Sequence, residues 1–187
     1  ISEDRTLLRL TPEETAVDGS LRVMWPGKGR GRQARIGTAG GVAANYIARW
    51  NGTSWEAAGS GINNNVTALA MDSGGNLYAG GYFAFSNGSH VGRLSGTTWT
   101  PVGALFGNVL ALAFNQSGVL YAGGAAGVTQ WNGSTWVPVG SLPTTYALAF
   151  DTSGNLYAGG SYGVVRWLGS TWQVLSGGPN GQVNALV

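Results

Sequence analysis

One phrase repeated along the chain constrains its fold more than any single residue does. Leu-Tyr-Ala-Gly-Gly occurs at 77–81, 120–124 and 156–160, so its leading leucine recurs in steps of 43 and 36. A tryptophan that closes a hairpin-like text falls at Trp55, Trp99, Trp136 and Trp172, in steps of 44, 37 and 36. The unit is therefore about 36 to 37 residues, with a longer copy that carries Tyr82 to His90. A short β unit of this kind cannot bury its apolar faces alone and must stack on copies of itself.

Within a unit the text reads as four short strands. Strand one (66–71, 109–114, 146–150) is apolar on both alternating sets, which marks a strand covered on both sides. It ends in Asp72-Ser-Gly-Gly-Asn76, Asn115-Gln-Ser-Gly118 or Asp151-Thr-Ser-Gly-Asn155, where an Asx side chain caps its own turn. Strand two closes on paired glycines, which permit close backbone approach or a bulge. Strands three and four flank Asn51-Gly52 and its counterparts, a favoured two-residue hairpin loop. With that loop, Trp50 pairs with Thr53 and Trp55 lies diagonally across from Trp50 on the same face. Trp131 with Trp136 and Trp167 with Trp172 repeat the arrangement.

Four antiparallel strands per unit, buried faces and this period describe the blade of a β-propeller. The expected architecture is all-β, with about four four-stranded antiparallel blades in units near 38–65, 66–108, 109–145 and 146–182, and 183–187 as a further strand one. That last strand could complete the first blade, which lacks a clear strand one and two. Residues 1–37 do not repeat; they form a charged leading segment or a degenerate blade, with a basic linker from Lys28 to Arg35.

The charge distribution separates the two regions. Residues 1–35 hold seven of the ten Lys/Arg and five of the eight Asp/Glu, leaving Arg49, Arg93, Arg166, Glu56, Asp72 and Asp151 in all that follows. A surface so poor in charge and rich in Ser, Thr, Asn and Gly is associated with secreted and cell-surface proteins, although no signal peptide is visible. No apolar run reaches membrane-spanning length, and the absence of cysteine excludes disulfides and thiolate metal sites. No aromatic platform for bases accompanies the basic segment, which argues against nucleic acid as a partner.

The text from Ala39 through Trp55, followed by Val66-Thr-Ala-Leu-Ala70 and Gly75-Asn-Leu-Tyr-Ala-Gly-Gly81, resembles the kelch-like propeller repeats of large secreted or surface-anchored bacterial proteins. The Asp-x-x-Gly-Asn-Leu-Tyr element is also similar to NHL and gluconolactonase-type repeats. The resemblance implies an adhesion, carbohydrate-binding or assembly module, with no cofactor.

Candidate chemistry is sparse. Asp72 and Asp151 share one slot with Asn115, which favours turn capping over catalysis or calcium ligation. Arg49, Arg93 and Arg166 share another with Gln130, where stacking on the neighbouring indole is preferred to anion capture. His90, the single histidine, has no cysteine or nearby carboxylate with which to build a metal site or a triad. Tyr82, Phe83 and Phe85, with Tyr162 at the place of Tyr82, follow the paired glycines and suit stacking on sugar rings, inter-blade packing being the competing reading. Sequons at Asn51, Asn65, Asn87, Asn115 and Asn132 arise partly from hairpin chemistry. The expected function is a noncatalytic binding or assembly module that presents propeller loops, with His90 as a further contact, to a glycan or protein partner. The alternatives are a structural subunit of a repeat array, with self-association, and a propeller hydrolase or lyase.

Overall fold

The computed structural model describes residues 38–186 apart from 40, 52 and 180. The readings of 1–37 as a degenerate blade and of 28–35 as a basic linker lie outside the described residues. Sixteen strands and no helix are present among them. Two hairpins come first, β1 (Thr38–Ala39) with β2 (Val42–Ala43) and β3 (Ala48–Trp50) with β4 (Trp55–Ala57). Three four-stranded antiparallel sheets follow in strict sequence order. The second blade is β5 (Val66–Met71), β6 (Leu77–Gly81), β7 (Val91–Ser95) and β8 (Thr98–Pro101). The third is β9 (Val109–Phe114), β10 (Leu120–Gly124), β11 (Gly127–Trp131) and β12 (Trp136–Pro138). The fourth is β13 (Thr145–Phe150), β14 (Leu156–Gly160), β15 (Gly163–Trp167) and β16 (Trp172–Val174). The hairpins occupy the place of the first blade, and the fold is of the propeller type.

The core is divided among the junctions between blades. Ile47, Ala58, Ile62, Leu77, Phe83 and Trp99 pack between the β3–β4 hairpin and the second blade. Val91, Val102, Val109 and Leu120 fill the second junction, and Ala111, Val128, Val139, Leu148 and Val165 the third. A hydrogen bond crosses each junction at the same repeat position. The indole Nε1 of Trp99 donates to the carbonyl of Ala58, that of Trp136 to Val102 and that of Trp172 to Val139, each at 2.8 Å. The residue after each acceptor is a left-handed glycine pressed against the next blade, so that a Cβ on Gly103 would lie 2.2 Å from the Trp131 ring.

The paired glycines of strand two serve two different contacts. The first faces the following blade: a Cβ on Gly80 would meet Val109 at 2.5 Å, and one on Gly123 would meet Thr145 at 3.0 Å. In the second and third blades the second faces the start of its own strand one, where a Cβ on Gly81 or Gly124 would stand 2.1 Å from the carbonyl oxygen of Asn65 or Asn108, whereas one on Gly160 would meet the Tyr162 ring at 2.3 Å. The register shifts at this end of the strand one–strand two ladder in all three sheets, so close approach and a bulge occur together.

Two expectations are corrected. Trp50 faces Trp55 directly, as Trp131 faces Trp136 and Trp167 faces Trp172. The loop has four residues in these three copies, with the Asn51 and Asn132 side chains bonded inside two of them, and among the described hairpins of strands three and four the one at Ser95–Thr98 encloses two residues. The segment from Val183 makes no strand pairing among the described residues. Its first residue nonetheless covers Gly159 as Val109 covers Gly80, and the Val183 N–H donates to the Gly160 carbonyl at 3.0 Å.

Candidate binding groove

The turns that frame one face of the blades are set by single side chains. Asp72 Oδ1 accepts from the N–H groups of Gly74 (3.0 Å) and Asn76 (2.9 Å). Asn115 Oδ1 accepts from Ser117 and Val119, and Asp151 Oδ1 from Ser153 and Asn155, in the same geometry. The second carboxylate oxygen of each Asp accepts from the Asn76 or Asn155 amide and from the Tyr78 or Tyr157 hydroxyl. Burial pushes the Asp72 carboxyl up, but the Asn76 side chain, the Asn76 and Gly74 N–H groups and Arg93 outweigh it and hold the pKa below its ordinary value. Asp151 is lowered chiefly by its bond from the Asn155 side chain and then by the Asn155 N–H. Carboxylates committed in this way are turn caps.

The aromatics and histidine expected at a ligand site do not converge. Tyr82 is on the surface at 38% exposure. Phe83, at 1%, is a core residue closed to any ligand, and it meets Phe85 edge to face at 5.7 Å. Phe85 in turn covers Gly92. Tyr162 aligns with Phe83, because Gly159-Gly160 matches Gly80-Gly81 and Ser161 takes the place of Tyr82. Its half-buried hydroxyl bonds Thr145 Oγ1 at 2.8 Å, and burial raises its pKa, partly offset by that bond. His90 Nδ1 is buried with no hydrogen-bond partner among the described residues, while its main chain bonds Leu105 and Gly81. Phe106, unforeseen in the sequence, stands 73% exposed against Gly88.

The arginine slot is also corrected, since its side chains find other partners among the described residues. Arg49 ion-pairs with Glu56, directly opposite on β4. The Arg93 guanidinium lies 6.0 Å over the Tyr78 ring. Arg166, opposite Gln173, donates from Nη2 to Asn155 Oδ1 at 3.1 Å, and Asn155 passes the contact on to Asp151. Its Nε is buried with no partner among the described residues.

Arg166 lines an open groove of about 350 Å³ between the third and fourth blades. Asn115 and Tyr121 form the wall from the third blade, and Phe150, Asn155, Trp167 and Leu168 the wall from the fourth. Tyr121 and Phe150 meet edge to face at 5.1 Å across the junction, and Trp167 packs against Trp172 at 5.1 Å. Burial raises the Tyr121 hydroxyl pKa, partly offset by the Asn115 side chain. The signal available in the sequence was Leu168. It occupies the turn position of Asn51 and Asn132, and its N–H makes the same bond across the turn, to Thr171. It has no side-chain oxygen to cap that turn and is instead 51% exposed at the groove.

No protein-family model matches the chain, and no curated protein does. Solved structures are similar at the level of fold. The extracellular domain of a protein described as a hybrid two component system from B. thetaiotaomicron matches with a TM-score of 0.57 and 17% identity, over 70% of this chain and 20% of that one. An ancestral GH74 enzyme matches with a TM-score of 0.57 and 19% identity, over 74% and 24%. The computationally designed Ika4 protein matches with a TM-score of 0.52 and 19% identity, over 69% and 82%. The chain thus spans a quarter or less of the first two. A fold found in an extracellular domain and in an enzyme leaves function to be read from the site.

Proposed function

We propose that the chain is a noncatalytic binding module of a secreted or cell-surface protein, built from kelch-like or NHL-like repeats, and that it takes up a glycan in the groove between its last two blades. The carrying observation is Leu168: one repeat gives up its turn cap and sets an apolar side chain beside Tyr121, Phe150 and Trp167. Apolar and aromatic walls with a few placed polar groups characterise small-ligand sites. The groove is walled by turns and side chains and offers no open strand edge, so main-chain pairing with a peptide is not its mode. The charge-poor surface supports the location, and the extracellular neighbour is in keeping with it.

The test is a glycan array probed with the wild type and with Leu168→Asn. This substitution restores the residue found at positions 51 and 132, so the fold should survive it. Glycans bound by the wild type and lost by the variant, at an unchanged or higher Tm, are expected. Glycan binding that Leu168→Asn leaves intact and Phe106→Ala abolishes would move the site to the opposite face and overturn the proposal.

A further inference from the structure

We infer that the groove recognises a carboxylate, through Arg166, and that its ligand is an acidic sugar of the uronic acid class; this rests on the groove being the binding site. The repeats supply an internal comparison. In the same slot Arg49 has Glu56 directly opposite and ion-paired with it, Arg93 lies over the Tyr78 ring and acts on Asp72, and Gln130 carries no charge. Arg166 alone of these cations faces Gln173, and it reaches a carboxylate only through the Asn155 amide. Asp151 is already committed to the Asn155 side chain, two backbone N–H groups and the Tyr157 hydroxyl.

The Arg166 guanidinium lines the groove with no carboxylate paired directly to it among the described residues, and an anion bound beside it supplies the missing counter-charge. A carboxylate matches the guanidinium fork and forms charge-assisted bonds with it. The remaining lining fits the rest of a sugar: Trp167, Tyr121 and Leu168 offer apolar surface for a ring face, and Asn115 offers an amide for hydroxyls. A groove of about 350 Å³ admits a short stretch of oligosaccharide at the lower end of the usual range for ligand sites.

The experiment is calorimetric titration of the full chain with a galacturonic acid trimer and with its methyl ester, repeated on Arg166→Gln and Leu168→Asn. Gln stands in this slot at position 130, so Arg166→Gln is compatible with a blade, and its Tm serves as the folding control. The acid is expected to bind at least about tenfold more tightly than the ester, a preference that weakens with salt and is lost in Arg166→Gln. Equal binding of acid and ester, or a preference that survives Arg166→Gln, would overturn the carboxylate assignment while leaving the groove as the site, provided Leu168→Asn still abolishes binding. Binding that neither substitution alters would sink the groove itself. Equal, Arg166-dependent binding of an acidic peptide would overturn the sugar class.

Discussion

At the scale of residues, a turn cap works with either an acid or an amide, and the chain uses both. Asp72, Asn115 and Asp151 hold equivalent turns through Oδ1, so the charge serves the contacts to the second oxygen. Because folding lowers the pKa of both acids, their contribution is fully present above the ordinary carboxylate value near 3.9 and is lost as pH falls through the lower folded value. The double variant Asp72→Asn, Asp151→Asn should therefore lose stability at neutral pH and show a smaller deficit below about pH 3.9, where the wild type loses its advantage. Urea melts across pH check this, and a deficit that grows in acid would contradict it. The same chemistry explains the sequons. Asn51, Asn87, Asn115 and Asn132 each accept a backbone N–H two residues on, from the Ser or Thr of the triplet or the equivalent turn position, and Asn65 is buried. Expression in a glycosylating host should leave Asn65 unmodified, as peptide mass mapping would show.

At the scale of elements, the glycine pairs tie strand two to two partners at once. Gly124→Ala would drive a methyl into the Asn108 carbonyl, against backbone that cannot yield locally. The substitution is expected to cost about 3 kcal/mol or more, near the upper end for overpacking, whereas Gly133→Ala, where nothing lies within 4 Å of the added carbon, costs only the backbone strain of its positive φ. Chemical denaturation of the two variants separates these costs. Strand order and the bulge-prone glycines were legible because they follow from periodicity and from backbone geometry. The hairpin register was not, since Asn51-Gly52 satisfies the rule for a two-residue loop, whereas the chain closes a four-residue loop at Asn51, Asn132 and Leu168 alike. The groove was missed for a related reason. Its residues come from two blades and from a position, Leu168, that is informative only once its counterparts are known to be caps, while Phe83, which follows the paired glycines as a loop aromatic would, is taken by packing.

At the scale of the whole molecule, stability resides between blades and is relayed from one to the next. The three indole bonds tie each outer strand to the blade before it, so losing one exposes a junction and not merely a side chain. Trp136→Phe keeps most of the apolar area and takes the indole donor from the Val102 carbonyl, leaving it the longer bond from the Ser89 hydroxyl at 3.3 Å, at a cost of about 1 kcal/mol. The variant should unfold with a lower midpoint and increased backbone hydrogen exchange on both sides of that junction, as in other quasi-linear repeat stacks. The most direct measurement is indole N–H exchange by NMR, with resonances assigned by single Trp→Phe variants. Radial stacking predicts slow exchange at Trp99, Trp136 and Trp172, near the rates of core strand amides. Exchange of those three indoles at the rates of solvent-exposed tryptophans would contradict it.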